Sequence, residues 1–274
     1  MIALTPALRL ALVVLAPLLV MGLVRHVGER LWPAHLKRER LHGVALAVWG
    51  ALFLGQALAV PALGGVATLL VNAAGGGLIR LPARGVGWWA GLAAYLLVMD
   101  LGEYLFHRAQ HAVPALWAMH SLHHSDRAFD SATAARHFWL EPAIKTVTVW
   151  LMVGVLLRTP ASVVGVYVAV SYYHFVVHSN TRLDFGRWSW VLNGPGYHRV
   201  HHSEAEEHFD VNFASLFPIF DVLTGAYRPP RPGERIQTGL DTGEEPQTVG
   251  EALVWPVRSW LRRPLGRLRR LAAA

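Results

Sequence analysis

Cysteine is absent from this 274-residue chain. That excludes disulfides, thiolate-ligated haem, cysteine-ligated iron–sulfur clusters and a cysteine nucleophile. Charge is scarce as well. Asp, Glu, Lys and Arg make up 16% of residues against 53% hydrophobic, with a mean hydropathy of +0.33, which is too apolar for an ordinary soluble protein. There is no dinucleotide fingerprint: the run Gly75-Gly76-Gly77 has no phosphate-loop lysine after it and reads as a connector. No nucleic-acid motif accompanies the net charge of +7. Its basic residues flank apolar runs, a pattern that suits lipid headgroups and argues against nucleic acid as a partner. No internal repeat of fixed period is visible.

What is abundant is apolar sequence in long runs. Leu10 to Val24, between Arg9 and Arg25, reads as a retained first membrane helix, and Arg25 to Arg40, with His26, His35 and then His42, as an interfacial connector. Gly43 to Asn72 exceeds the roughly 20 residues that cross a bilayer and is kinked or divided at Pro61. A third span opens at Trp88 and Trp89 and runs through Val98. Ser125 to Arg136 is polar and expected at the membrane surface. Val147 to Leu157 and Ala161 to Val177, joined by a turn at Arg158-Thr159-Pro160, form a hairpin that dips into or crosses the bilayer. Five Lys or Arg in the first connector (Arg25, Arg30, Lys37, Arg38, Arg40), against Arg80 and Arg84 in the glycine-rich loop and Arg158 at the hairpin tip, set the orientation.

The expected fold is all-α: a polytopic membrane protein with about four spans, its histidine-rich site on the cytoplasmic side of a bacterial inner membrane. Three regions are expected: 1–99, membrane helices and connectors; 100–228, the histidine-rich catalytic region; and 229–274, a polar linker and basic tail. Arg231 to Gly250 is expected to be mobile, and Ala252 to Leu271 is either an interfacial helix interrupted by Pro256 and Pro264 or a disordered basic tail.

Ten of the fifteen histidines stand in four clusters: His107 with His111, His120 with His123 and His124, His174 with His178, and His198 with His201 and His202. Spacings of three and four put side chains on one face of a helix. One H-x-x-x-H pair would arise by chance in such a chain, but two such pairs with two H-x-x-H-H blocks would not. Burying so many imidazoles needs partners for each donor and acceptor, and a metal supplies them. One transition ion takes about four to six ligands, so ten rings suit two neighbouring ions with open positions. Iron, zinc, copper and manganese all accept such nitrogen ligands. Asp100 and Glu103, on the helix that carries His107 and His111, are expected either to orient the rings or to be solvated as the helix emerges. Asn180 and Asp210 either orient rings or form turns, and His137 and His208 are expected in hydrogen-bonding or interfacial roles.

The ordered blocks resemble the fatty acid hydroxylase superfamily, also called the sterol desaturase family, from about Asp100 to Tyr227. Pro114, Leu116-Trp117, His123-His124-Ser125, His178-Ser179-Asn180 and Asp221-Val222-Leu223-Thr224-Gly225 share in the likeness. The resemblance implies a dimetal centre, generally di-iron (zinc on isolation being an alternative), held by His107, His111, His120, His123, His124, His174, His178, His198, His201 and His202. It implies that dioxygen is activated there to hydroxylate or desaturate an unactivated carbon of a lipid such as a fatty acyl chain or sterol. With no site for a redox cofactor, electrons must come from a reductase through a ferredoxin or cytochrome carrier. Two stretches depart from the family pattern: Arg136-His137-Phe138-Trp139-Leu140-Glu141 stands for Arg-x-His-Pro-x-Glu, and Asn212-Phe213-Ala214 for Asn-Tyr-Gly. The competing readings are a membrane zinc metallohydrolase, which would usually keep carboxylate ligands, and a metal-handling membrane protein, which would place its ligands within spans.

Overall fold

The computed structural model describes residues 19–20, 22–34, 64, 66–183 and 185–261. Most of Leu10 to Val24, most of Gly43 to Asn72 with Pro61, the residues His35, Lys37, Arg38, Arg40 and His42, and the tail beyond Leu261 with Pro264 lie outside the described residues.

The axis of the molecule is α1, Gly85–Ala112, 28 residues and so about 42 Å long. Its interior is rich in Ala and Leu and free of proline, a composition that propagates a helix. Pro114 ends it. The residue before a proline is driven out of the helical region, and Val113 accordingly sits at φ −93°, ψ 115°. Pro114 then opens α2, Pro114–His124, where its missing N–H costs nothing. The resulting corner folds α2 back against the end of α1. Among the described residues, α1 alone is long and apolar enough to cross a bilayer, and the apolar Ala161–Val177 is shorter. Leu97, Leu101 and Leu105, four apart on α1, are exposed, while Tyr95 and Met99 are fully buried.

The expected hairpin packs on that buried face. It rises through α3, Glu141–Lys145, a π-helical turn at Thr146–Trp150 and α4, Leu151–Leu156, and returns through α5, Ala161–Ser171, and α6, His174–Val177. Tyr95 and Met99 form one core with Val149, Trp150, Val153 and Val163. Gly102 permits the close approach, since a Cβ there would stand 3.0 Å from Val149 Cγ1.

The tip of the hairpin departs from the expected all-α architecture. Leu157–Arg158 is a short strand, β2, that pairs in parallel with β1, Ile79–Arg80, in the register Ile79 to Leu157. Asn72 clamps this tip: its Nδ2 donates to Gly154 O (2.8 Å) and Leu157 O (3.1 Å), and its Oδ1 accepts from Thr159 N (2.9 Å). Gly77 turns the chain into β1 at φ +88°, where a Cβ would lie 2.5 Å from Arg158 Cβ.

Two polar stretches are buried instead of lying at a surface. Asp126, Asp130, Ser131 and Thr133 are 3% exposed or less, and the two carboxylates and the Thr133 hydroxyl find partners within the stretch or across from it. Thr133 Oγ1 donates to Asp126 Oδ2 (2.7 Å), Asp130 and Thr133 form a reciprocal helix cap, and Arg136 lies 3.4 Å from Asp126. In the N-terminal connector, Glu29 is buried as well, its Oε1 accepting from the backbone N–H groups of Ser131 (2.7 Å) and Asn180 (3.1 Å). Downstream come α7, Pro195–His201, and α8, Ile219–Thr224. Residues 231–250 then run back across the histidine region: Glu204 N donates to Gln237 O (3.1 Å), Gly239 N to His202 O (3.1 Å), and Ile236 and Thr238 are buried. The chain closes with α9, Val249–Leu253, and α10, Trp255–Leu261. Pro256 is accommodated in the first turn of α10, where no intrahelical N–H is required. Trp255 packs with Met119 and Leu122 of α2 and donates from Nε1 to Ser121 Oγ (2.9 Å).

Candidate metal centre

Nine of the ten clustered histidines converge into two groups. One contains His107, His111, His120, His124 and His201, the other His123, His178, His198 and His202, and within each group ligand nitrogens lie within 4.8 Å of one another. The H-x-x-H-H blocks divide between them for a helical reason. On α2, His120 and His124 are four apart and share a face that meets His107 and His111 across the Val113 corner, while His123 points to the other group. At the end of α7 the roles reverse: His198 and His202 join the second group and His201 the first. The groups adjoin, with the rings of His124 and His202 stacked at 4.4 Å.

Hydrogen bonding on the far side of the rings fixes which nitrogen faces inward. His107 Nδ1 lies 2.8 Å from Phe213 O and His201 Nδ1 lies 2.7 Å from Val211 O. A carbonyl can only accept, so both Nδ1 atoms carry the proton. His178 Nδ1 donates in the same way to His174 O (2.8 Å). Carboxylates take this role for His120, 3.0 Å from Glu141 Oε2, and for His111, 3.3 Å from Asp210 Oδ1.

The inward nitrogens then crowd together, and those of His107 and His201 meet lone pair to lone pair. His107 Nε2 stands 2.9 Å from His201 Nε2, and His178 Nε2 stands 2.9 Å from His198 Nε2 and 3.1 Å from His123 Nε2. Burial holds the His201 ring down at about 3 and drives His123, His124, His198 and His202 well below the ordinary imidazole range, so these rings are neutral at pH 7. For His107 and His201, whose protons are committed to carbonyls, no proton remains to bridge them, and a cation between the rings removes the conflict. Among the described residues, His120 Nε2, His123 Nδ1, His198 Nδ1 and both nitrogens of His202 are buried without a hydrogen-bond partner. Each such atom costs roughly 1–3 kcal/mol if nothing binds it. An all-imidazole donor set of this kind fits first-row transition ions, iron and zinc among them, so the residues present fit the two metals that the sequence implies.

His174 is the exception among the ten. It lies outside both groups, half-exposed, with Nε2 2.6 Å from Ser215 Oγ. The carboxylates on α1 are neither solvated nor bonded to the grouped rings: Asp100 accepts from the N–H groups of Leu216 (2.8 Å) and Phe217 (2.9 Å), and Glu103 accepts from Tyr167 Oη (2.6 Å) and Ser215 Oγ (3.0 Å). Asn180 Oδ1 accepts from Arg199 (2.9 Å), and the Arg199 guanidinium lies over Phe129. His208 bonds Ser203 Oγ at 2.8 Å, away from the groups. His137 stacks on His123 at 4.2 Å and reaches Glu141 at 3.4 Å.

Glu141 is the residue that spacing did not single out. Its Oε2 accepts from His120, His137 and Gln110 Nε2 (2.6 Å), and Oε1 accepts from Phe138 N (3.0 Å). Burial raises its carboxyl, but the hydrogen bonds from His120 and His137 outweigh that and hold it at about 2. The departures from the family pattern also find a role. Asp210 (φ 57°) and Asn212 (φ 58°) adopt left-handed backbone, and the turn presents the carbonyls of Val211 and Phe213 to His201 and His107. Asp221 anchors it by accepting from Phe213 N (2.9 Å) and Ala214 N (2.8 Å). Since backbone atoms do this work, Phe and Ala serve where Tyr and Gly were expected.

A cavity of about 240 Å³ reaches His107, His120, His123, His178 and His198 from one side. Phe106, Val170, Phe175 and Val177 make much of its wall apolar.

The fatty acid hydroxylase family model matches residues 92–226. Similar curated proteins include alkylglycerol monooxygenase of Xenopus tropicalis, 32% identical over 154 residues (56% of this chain, 32% of the relative), and that of Danio rerio, 33% identical over 172 residues (62% and 35%). Ornithine lipid hydroxylase OlsE of Rhizobium tropici is 27% identical over 139 residues (50% and 42%). The chain thus spans about a third of the length of the alkylglycerol monooxygenases it matches. No solved structure matches it.

Proposed function

Because residues 92–226 place this chain in the fatty acid hydroxylase superfamily, we propose that it is a membrane-bound di-iron oxygenase that hydroxylates an unactivated C–H bond of a lipid. The observation that carries the reading is the His107–His201 pair, two neutral rings whose lone pairs face each other at 2.9 Å. In the proposed reaction one atom of dioxygen enters the C–H bond and the other leaves as water, taking up two electrons and two protons. Those electrons come from an external reductase with a ferredoxin or cytochrome carrier. The relatives are named for alkylglycerol and ornithine lipid, which favours a substrate with a long alkyl or acyl chain and favours hydroxylation over desaturation.

In this reading His107, His111, His120, His124 and His201 hold one ion and His123, His178, His198 and His202 the other. Bound there, the metals supply the reduction of dioxygen and the abstraction of hydrogen from carbon. The chain supplies the rest. Glu141, Asp210 and the carbonyls of Val211 and Phe213 keep ring protons on Nδ1, so that each Nε2 stays a donor to metal. The apolar wall of Phe106, Val170, Phe175 and Val177 excludes water and accepts the hydrocarbon. The exposed stripe Leu97, Leu101 and Leu105 faces lipid, and α1 with the hairpin and the two N-terminal runs gives about four spans, with the histidines on the cytoplasmic side of a bacterial inner membrane.

The test is dioxygen uptake by anaerobically reconstituted protein given a reductant and a lipid extract. Uptake with a product one oxygen atom heavier, and about two iron atoms per chain as the ligand count requires, is the expected result. Product formed without oxygen, or a preparation active only with zinc, refutes it.

A further inference from the structure

The same cavity carries a polar network that the proposed chemistry does not use. Lys145, Glu103, His174, Ser215 and Tyr167 all line it. Glu103 Oε1 accepts from Tyr167 Oη (2.6 Å) and from Lys145 Nζ (2.8 Å), its Oε2 accepts from Ser215 Oγ (3.0 Å), and Ser215 Oγ stands 2.6 Å from His174 Nε2. Lys145 and His174 are the more open members, with side chains 25% and 37% exposed, while Glu103 is at 10%.

Proton accounting fixes the character of this wall. The one hydroxyl hydrogen of Ser215 goes to Glu103, so the serine oxygen accepts from His174 Nε2, which leaves His174 Nδ1 open to a ligand. Lys145 spends one N–H on Glu103 and keeps two. The ammonium and carboxylate cancel in charge. A hydroxyl group, which donates and accepts at once, can accept from Lys145 and bond His174 Nδ1 without adding charge to the wall. A carboxylate or phosphate would satisfy Lys145 but set its charge against Glu103.

Resting on the oxygenase reading, we infer that Lys145, Glu103, Ser215 and His174 form the subsite for the polar head of the substrate, that this head is uncharged and bears a hydroxyl, and that His174 binds substrate and not metal. The ring of His174 lies 5.8 Å from that of His178, so the head is held beside the second histidine group.

Binding of radiolabelled hexadecanol and hexadecanoate to the detergent-purified, metal-loaded protein tests this without turnover. The wild-type protein is expected to favour the alcohol. Glu103→Gln leaves Lys145 without its counter-charge and is expected to shift the preference toward the carboxylate by about tenfold, on the scale of one charge-assisted hydrogen bond. Lys145→Met is expected to weaken the alcohol by a similar factor, and it decides the matter if Glu103→Gln does not fold. His174→Gln is expected to keep the wild-type metal content. An unchanged alcohol-to-carboxylate ratio in these variants, failure of the wild-type protein to prefer the alcohol, or loss of metal in His174→Gln overturns the subsite. Binding as expected without any oxygen-dependent product leaves the subsite standing and overturns the oxygenase reading instead.

Discussion

Buried between Gln110, His120 and His137, Glu141 collects four hydrogen bonds while remaining 3% exposed. Glu141→Gln keeps the volume but turns one oxygen into a donor facing other donors, so the His120 ring loses the partner that fixes its proton. Metal affinity is expected to fall by about 10–100-fold, the usual effect of losing a carboxylate behind a metal-ligating imidazole, as read by competition with a chromogenic chelator. Unchanged affinity would reduce Glu141 to a packing residue. The difference between Glu141 and the histidines is also a difference in legibility. His107, His111, His120, His124 and their partners repeat at helical spacing, whereas Glu141 is a single residue in a loop-to-helix junction with no period. The carbonyls of Val211 and Phe213 have no side-chain signature at all. His174 shows the opposite failure. It shares the four-residue spacing of His107 and His111, but it opens the four-residue helix α6, and Ser215 takes up its Nε2.

At the level of elements, the Val113-Pro114 corner was readable, because proline restricts the residue before it whatever the tertiary context. The hairpin was readable from its two apolar runs. What the pattern did not reveal was the pairing of β1 with β2, since two residues on each side carry no alternation to detect. Nor did it reveal the burial of Asp126, Asp130 and Thr133: polar residues look alike in a solvated loop and in a satisfied network until their partners are known. The seam between α1 and the π-helical turn depends on Gly102. Gly102→Val would drive a branched side chain into Val149 and Met152, already 3.0 and 3.2 Å from an added Cβ. Overpacking of this kind costs about 1–3 kcal/mol. The expected result is a lowered thermal midpoint in detergent with metal content retained, and an unchanged midpoint would mean that the seam is loose.

Across the whole molecule, composition and histidine order were enough to reveal the likeness to the fatty acid hydroxylase family that the family model also finds over residues 92–226, while the long-range closures were not legible. Glu29 reaches Ser131 and Asn180 over more than a hundred residues, and residues 231–250 return to His202 from a stretch that reads locally as polar linker. Trp255 then seats the carboxyl-terminal helices on α2. These closures hold α2 and α7 together, and each of those helices feeds both histidine groups, two rings to one and one to the other. On the proposed two-metal reading, neither can slacken around one ion while its grip on the second stays intact. Progressive demetallation is therefore expected to follow a single sigmoidal course, with no half-loaded species accumulating in native mass spectra; a stable one-ion form would mean that the two sites are filled and emptied independently.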